Sequence, residues 1–145
     1  MNKTANKIKA LKTKCDKLWS EAVRTRDGAC VLCGKTEGLN AHHWIHSKAQ
    51  GNLRRWDVKN GITLCFACHI YKVHTYASAD IMKQLAQAAF YRGIVTPEEL
   101  ETISNDHQIA KFGVEDMERV KAYLTDYLDS LDPNFHAVGG TNDEE

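Results

Sequence analysis

The first 26 residues carry hydrophobic positions at the spacing of a helix. They recur every three or four residues, the period that places side chains on one face: Ile8, Leu11, Cys15, Leu18 and Ala22. Six lysines lie around this stripe: Lys3, Lys7, Lys9, Lys12, Lys14 and Lys17. The pattern predicts a basic N-terminal helix over residues 1–26 that packs by its apolar face. It also predicts that Cys15 is a packed helix residue rather than a metal ligand.

Residues 28–76 show a different pattern. Leu39 to Ile45 has the composition of a strand, and Ile62 to Leu64 has that of a short second strand. Asn60-Gly61, just before the second strand, is a strong signal for a hairpin-type turn. Helical spacing resumes from Phe66. We therefore predict a strand, a loop, a strand and a helix in that order.

Helical spacing dominates residues 77–132. Ser78 to Arg92 predicts one helix. Thr96 and Pro97 start another, because threonine is a good capping residue and proline suits the first helical turn. Glu115 to Leu131 has an apolar face at helical spacing and predicts the last helix.

The whole chain fits one domain with a mixed fold. A chain of 145 residues is suited to a single hydrophobic core, so we predict one domain over residues 1–135. Its class is α+β, mainly helical around a small ββα centre. Residues 136–145 are polar and acidic, which predicts a disordered tail.

The amino-acid pattern favours a protein that stays inside the cell and outside the membrane. The chain has no run of about 18 apolar residues, so no membrane span is expected. It starts MNKTANKIKALKTK, which has lysines but lacks the apolar core of a signal peptide. We expect a cytoplasmic location, which is the host cytoplasm if a phage encodes the chain.

Residues 65–69 read CFACH, a sequence that is compatible with three different sites. C-x-x-C-H is the attachment signature of a c-type haem, C-x-x-C alone can be a redox pair, and either can be half of a zinc site. Haem attachment of this kind belongs to exported proteins, and export is not expected here. In a reducing compartment, cysteines are more often metal ligands or buried thiols than disulfides.

A second cysteine pair favours zinc. Cys30 and Cys33 repeat the two-residue spacing of Cys65 and Cys68, and Gly34 permits the tight turn that such a knuckle needs. Four thiolates are the ligand set of a tetrahedral structural zinc, whereas a redox site needs only one pair. We predict a structural zinc on all four cysteines, with each pair fastening one end of the ββα unit. Two unrelated thiol pairs in a core are the alternative.

The polar residues between and after the knuckles resemble the HNH nuclease motif. His42-His43, then Asn60 five residues before Cys65, then His69 directly after the second knuckle follow the order of that family over residues 28–74. The resemblance implies a two-stranded ribbon and a helix that grip a catalytic divalent metal. The sequence RRWD ahead of Asn60, together with the chain length, is similar to small phage-type HNH proteins of recombination or DNA packaging.

The resemblance also implies a role for each motif residue. His43 is the general base, and a neutral histidine suits that task because its ordinary pKa is about 6.5. His42 and His69 coordinate the catalytic metal, which is Mg²⁺, Mn²⁺ or another divalent ion. The Asn60 amide holds the loop or the metal shell.

Two further histidines lie close to the motif, and their spacing predicts their roles. His46 lies three residues from His43, so on an extended strand it belongs to the opposite face, and we interpret it as a phosphate contact. His74 follows His69 by five positions, about 140° around an α-helix, and this angle argues against shared coordination.

The charge is divided unevenly along a chain whose net charge is zero. Residues 1–75 contain 14 Lys and Arg against 5 Asp and Glu, whereas residues 76–145 contain 5 against 14. A basic half that contains the motif fits a protein that offers one face to phosphates. The candidate DNA-binding cations flank the motif: Lys48, Arg54, Arg55 and Lys59.

The leading hypothesis from the sequence is a metal-dependent DNA endonuclease with a structural zinc and a catalytic divalent metal. DNA is the expected partner, and a homodimer would explain cutting of both strands. The alternative is a zinc-knuckle DNA-binding or adaptor protein whose histidines do not catalyse. A c-type cytochrome is a third and weaker reading of the same cysteines.

Overall fold

The secondary structure begins with a long helix and continues with a two-stranded sheet and shorter helices. The computed structural model describes residues 2–51, 53–74 and 79–131. The elements are α1 (Lys3–Asp27), β1 (Leu39–His43), β2 (Gly61–Cys65), a π-helix (Cys68–His74), α2 (Ala79–Tyr91), α3 (Pro97–Ser104) and α4 (Val114–Leu131). This composition confirms the predicted α+β class, in which helices dominate.

The helices form close to where their patterns predict them. α1 starts at a capping residue, Asn2, whose side chain accepts a hydrogen bond from the Ala5 N–H. It ends at Gly28, which adopts a left-handed φ of 71°. α3 starts with a capping box in which Thr96 and Glu99 each accept from the other's backbone N–H. Among the described helices, none is both long and apolar enough to cross a membrane.

The two strands pair antiparallel, from Leu39 opposite Cys65 to His43 opposite Gly61. β1 ends at His43, two residues before the predicted limit, because the next backbone groups bond to Asn60 instead of extending the ladder. The prediction of a hairpin-type turn at Asn60-Gly61 is wrong. Seventeen residues, which include three short 3₁₀ segments, connect the strands. Asn60 ends the last of these segments with its side chain fully buried.

The sheet lies between two hydrophobic clusters. On one side, α1 packs against α4 through Leu11, Cys15, Leu18, Met117, Leu124 and Leu128. On the other side, Ile62 and Leu64 of β2 pack against residues of α2, α3 and the segment between them, including Leu85, Ala89, Val95 and Ile103. Side chains of α1 are buried in the first cluster, and side chains of β2 are buried in the second. Together they hold the sheet against α1.

Cys15 is part of the first cluster, as its place on the α1 stripe predicts. Its side chain is fully buried, and the thiol faces the Met117 carbonyl oxygen at 3.7 Å. Burial, followed by the charge of Asp16, raises the pKa of this thiol to about 11. Cys15 is therefore a neutral packing residue.

The contact between α1 and the sheet is close at Gly61. A Cβ atom added at this glycine would lie 2.4 Å from Cγ2 of Val23 and 2.6 Å from Cζ2 of Trp19. The φ angle of Gly61 is −115°, which any residue can adopt, so the constraint at this position is space and not backbone conformation. Glycine therefore sets how near α1 approaches the ribbon.

We expect Gly61→Ala to destabilise the fold by about 1–3 kcal/mol, because the added methyl group must push α1 and β2 apart. The matched control is Gly113→Ala, where an added Cβ would meet its nearest neighbour, Asp116, at an ordinary 3.6 Å. Urea denaturation of both variants measures the difference in free energy of unfolding. Equal stability of the two variants would contradict the proposed close contact.

Candidate functional site

Four cysteines meet at one end of the sheet. The sulfur atoms of Cys30, Cys33, Cys65 and Cys68 all lie within 4.8 Å of one another. The Cys33 and Cys65 sulfurs are 3.6 Å apart, far longer than a disulfide bond. Sulfurs at about 2.3 Å from a tetrahedral zinc lie about 3.8 Å from one another, so the cluster fits a structural metal such as zinc. Both pairs converge at the Leu39–Cys65 end of the sheet, one pair before β1 and the other at the junction of β2 and the next helix.

Local hydrogen bonds shape the first knuckle and attach it to the sheet. The Cys30 N–H donates to the Lys35 carbonyl at 2.8 Å, and the Gly34 N–H donates to the Cys30 carbonyl at 2.9 Å. Gly34 adopts a φ of 80°, which favours glycine, as the sequence predicts. The Val31 N–H donates to the Thr63 carbonyl of β2 and joins the knuckle to the ribbon.

Two of the four thiols have pKa values that are shifted in opposite directions. The backbone N–H of Cys68 lowers the pKa of the Cys65 thiol to about 7. Burial, with the neighbouring sulfurs, raises the pKa of the Cys68 thiol to about 12. A metal ion bound by the four sulfurs would balance the negative charge of the thiolates.

His42 and His69 come together on one face of the ribbon. Nδ1 of His42 and Nε2 of His69 are 3.2 Å apart, and the two rings meet edge to face at 5.0 Å. Two nitrogens at about 2.0–2.1 Å from one tetrahedral ion lie about 3.3 Å apart. The separation thus suits either a hydrogen bond or two ligands of one divalent ion. The two residues are 27 positions apart in the chain, and the fold brings them together.

The helix that carries His69 is a π-helix over Cys68–His74. Hydrogen bonds in a π-helix join residues five apart, so positions 69 and 74 are a little more than one turn apart. The angle of about 140° predicted for an α-helix does not apply here. The side chain of His74 is outside the described part of the structure.

His43 lies on the other face of β1, toward α1. Its ring stacks on Trp19 with centroids 3.8 Å apart and planes 8° from parallel. Its Nε2 is 2.9 Å from the Arg55 carbonyl oxygen. Burial lowers the pKa of His43, although the Arg55 carbonyl acts in the opposite direction. A lowered pKa keeps the imidazole neutral at physiological pH.

α1 provides the platform for this histidine. Trp19 is buried and donates its indole N–H to the Asp57 carbonyl at 2.9 Å, which fixes the stacking surface. One turn earlier, Asp16 accepts from Arg55 at 2.9 Å and from the Trp56 indole at 2.9 Å. The residue whose carbonyl binds His43 is thus itself anchored to the same helix.

Further along the same helix, Arg26 holds the chain just before β2. It donates to the Val58 and Gly61 carbonyls at 2.7 Å each. Its guanidinium also pairs with Asp27, which accepts from the Thr63 N–H at 2.9 Å. The start of β2 is therefore bonded to the end of α1 through side chains as well as packing.

Asn60 locks the loop, one of the two roles that the motif implies. Its carbonyl oxygen accepts from the backbone N–H groups of Ile45 and His46 at 3.0 and 2.8 Å. Its amide nitrogen donates to the carbonyls of His46 and Arg54 at 2.9 and 3.1 Å. Four bonds use the full donor and acceptor capacity of this buried amide. Replacing it would leave several buried backbone groups without partners.

The candidate DNA-binding cations all form ion pairs within the protein. Arg54 pairs with Asp57 and Asp106 at 2.9 and 3.0 Å. Asp16 pairs with both Lys48 and Arg55, and Lys59 pairs with Glu99. The basic loop of the sequence is therefore neutralised locally by its own carboxylates.

His46 occupies a structural position. Its side chain is only 6% exposed, and its Nε2 is 2.6 Å from the Ile103 carbonyl of α3. Phosphate contact requires an accessible ring, so the interpretation of His46 as a phosphate ligand is wrong. It joins the loop to α3.

The sequence analysis missed the α1 residues that position the motif. Trp19 lies four positions after Cys15 on the same helical period, so its burial could have been anticipated. Nothing local indicates that its ring faces His43, or that Asp16 holds Arg55 from 39 positions away.

Comparison of the chain with protein-family models, with curated proteins and with solved structures found no match.

Removal of one cysteine tests the metal centre. We expect Cys65→Ser to lose bound zinc and a large part of its stability, because ligand binding and folding are coupled in such knuckles. The control Cys15→Ser should keep its metal, since this thiol lies in the other cluster. Elemental analysis of the purified, folded proteins gives the metal content. Wild-type protein that folds without zinc or another metal would rule out the structural metal.

The pH dependence of stability tests the anchor at Asp16. Burial alone would raise its pKa, but the hydrogen bonds from Arg55, Trp56 and Lys48 hold the pKa below the ordinary value. A carboxylate with a lowered pKa stabilises the fold above the unfolded pKa of about 4, and this contribution is lost as the pH falls through the folded value.

We therefore expect Asp16→Asn to be less stable than wild type near pH 7, with a difference that shrinks below about pH 4. Urea denaturation across this range measures both proteins. The control Asp126→Asn removes an exposed α4 carboxylate that forms no ion pair among the described residues. A deficit for Asp16→Asn that stays constant with pH would contradict the charged anchor.

Proposed function

We propose that this chain is a metal-dependent DNA endonuclease with an HNH-type site, stapled by a structural zinc on its four cysteines. The observation that carries the proposal is the 3.2 Å separation of the His42 and His69 ring nitrogens. It is supported by a neutral, hydrogen-bonded His43 on the next residue and by the Asn60 lock, since these four residues match the order of the motif.

The residues have distinct tasks in this mechanism. His42 and His69 would hold a divalent cation such as Mg²⁺ or Mn²⁺, which would supply positive charge to offset the negative charge on the phosphate and the leaving oxygen. Asn60 keeps the loop from Ile45 to Arg54 in place through its four hydrogen bonds.

His43 has the tautomer that a base needs. Its Nε2 faces a carbonyl oxygen, which can only accept, so Nε2 carries the hydrogen and Nδ1 carries the lone pair. Nδ1 takes a proton from water, and the resulting hydroxide attacks phosphorus as the bond to the leaving oxygen breaks. The leaving oxygen gains a proton from solvent. Stacking on Trp19 limits rotation of the ring during this step.

The biological setting belongs to the same proposal. The RRWD sequence and the chain length resemble small phage proteins that process DNA in recombination or packaging. We propose DNA as the partner, the cytoplasm as the location, and nicking by each site, with two sites needed for a double-strand cut.

One observation favours a second function. His43 and His42 leave opposite faces of β1, because His43 contacts Trp19 while His42 contacts His69. A non-catalytic DNA-binding or adaptor protein with a structural zinc would need no shared reaction centre. Nicking of supercoiled plasmid in Mg²⁺ or Mn²⁺, followed by a panel of linear, branched and single-stranded substrates, separates the two functions.

We expect His43→Ala to cut DNA about 10²- to 10⁴-fold more slowly than wild type, because a positioned general base contributes this much. DNA affinity and zinc content should be retained. The control His107→Ala removes an exposed histidine outside the motif and should cut normally. Gel assays of plasmid nicking give the rates. Wild-type rates for His43→Ala would place the base elsewhere.

His69→Ala separates metal binding from proton transfer in the same assay. Higher Mg²⁺ or Mn²⁺ concentration should restore part of its activity, because this variant loses a metal ligand, and should restore none in His43→Ala. Absence of cutting by wild type on every substrate would favour the adaptor function.

A further inference from the structure

We propose that α1 binds the phosphate backbone of duplex DNA through a lysine stripe, defined as Lys3, Lys7 and Lys17. The choice of DNA rests on the proposed function. Charge, exposure and helix geometry identify this surface. It differs from the loop that contains the predicted DNA-binding cations Lys48, Arg54, Arg55 and Lys59.

The lysine stripe has the free charge that the loop lacks. The loop cations Lys48, Arg54, Arg55 and Lys59 are all paired with carboxylates, so DNA would have to compete with these partners. The stripe lysines are exposed and form no ion pair among the described residues. Binding through them releases counterions without breaking internal contacts.

Helix geometry aligns the three side chains. At 100° per residue, Lys7 lies about 40° and Lys17 about 320° from Lys3, so the stripe covers about 80° of the helix surface. A rise of 1.5 Å per residue places Lys3 and Lys17 about 21 Å apart along the axis. Duplex DNA carries a charge every ~1.7 Å of its axis, so a groove edge offers phosphates over this whole length.

The charge in the first turn of α1 is unfavourable for the stability of this helix. Acidic residues stabilise the positive end of a helix dipole, yet the first turn of α1 contains none and Lys3 occupies that end. α3 and α4 both have two acids in their first turns. A residue that lowers the local stability of its own helix is expected where that residue serves an external partner.

The burial pattern favours nucleic acid over a lipid surface. A basic helix that lies on a membrane inserts its apolar face among the lipids. In α1 that face is already packed against α4 through Leu11, Leu18 and Leu128. Besides the lysines, this face exposes Ala10 and Glu21, which do not form the large apolar surface that a lipid-binding helix needs.

The stripe and the candidate site lie on different sides of α1. Lys17 is two residues before Trp19, which is about 200° around the helix, so the stripe is a DNA-binding surface separate from the face on which His43 stacks.

The test is the salt dependence of binding to a 30-base-pair duplex, followed by fluorescence anisotropy without divalent metal. We expect the triple variant Lys3→Gln, Lys7→Gln, Lys17→Gln to lower the slope of log K against log salt by about 0.9 per lysine that contacts a phosphate. With all three engaged, affinity at 0.1 M salt should fall by about 10²- to 10³-fold. Glutamine is chosen because its helix propensity is close to that of lysine.

The matched control Lys83→Gln, Lys111→Gln, Lys121→Gln removes the same charge from the acidic half and should leave the slope unchanged. Circular dichroism should show equal helix content and a melting temperature no lower than wild type for the stripe variant.

A slope equal to wild type in the stripe variant would overturn the proposal. So would wild-type protein that binds phosphatidylserine vesicles and not duplex DNA. If the slope of the stripe variant is unchanged and wild type cuts plasmid normally, the stripe proposal fails and the nuclease proposal stands. If the slope falls but wild type does not cut, the nuclease proposal fails and the stripe proposal stands.

Discussion

The close approach of α1 to the two-stranded sheet is the constraint on which the rest of the structure depends. It is possible because Gly61 has no side chain where Trp19 and Val23 pack. The same approach lets Trp19 stack on His43 and lets Arg26 bond the carbonyls just before and at the start of β2. A helix at the start of the chain therefore sets the environment of a histidine in the middle of it, and stability and chemistry share these contacts.

The ribbon is held by different physical means at its two ends. At the Leu39–Cys65 end, four cysteine sulfurs converge in an arrangement that suits a metal ion. At the His43–Gly61 end, the buried amide of Asn60 forms four hydrogen bonds, and packing against α1 adds further stabilisation. A small two-stranded ribbon is marginal on its own, so both ends need such support. The paired rings of His42 and His69 lie within this supported frame.

Charge in the protein is organised by burial as much as by sequence. Cations of the connecting loop are near carboxylates from α1, α3 and the segment after α3, and these pairs tie the loop to its neighbours. Basic residues of the loop therefore hold it in place through ion pairs. The stripe lysines Lys3, Lys7 and Lys17 form no ion pair among the described residues, so their positive charge is available to a partner.

The sequence by itself determined what depends on neighbours along the chain. Helical period predicted α1, α2 and α4 to within a residue or two, capping chemistry predicted the start of α3, and the repeated C-x-x-C spacing predicted the cysteine cluster. Tertiary structure alone decided which face of β1 each histidine uses, that His46 is buried under α3, and that the loop cations are neutralised. Each of these depends on partners far away in sequence, such as Asp16 and Arg55, which are 39 residues apart. Local pattern carries no information on which distant side chain will fill a given space or balance a given charge.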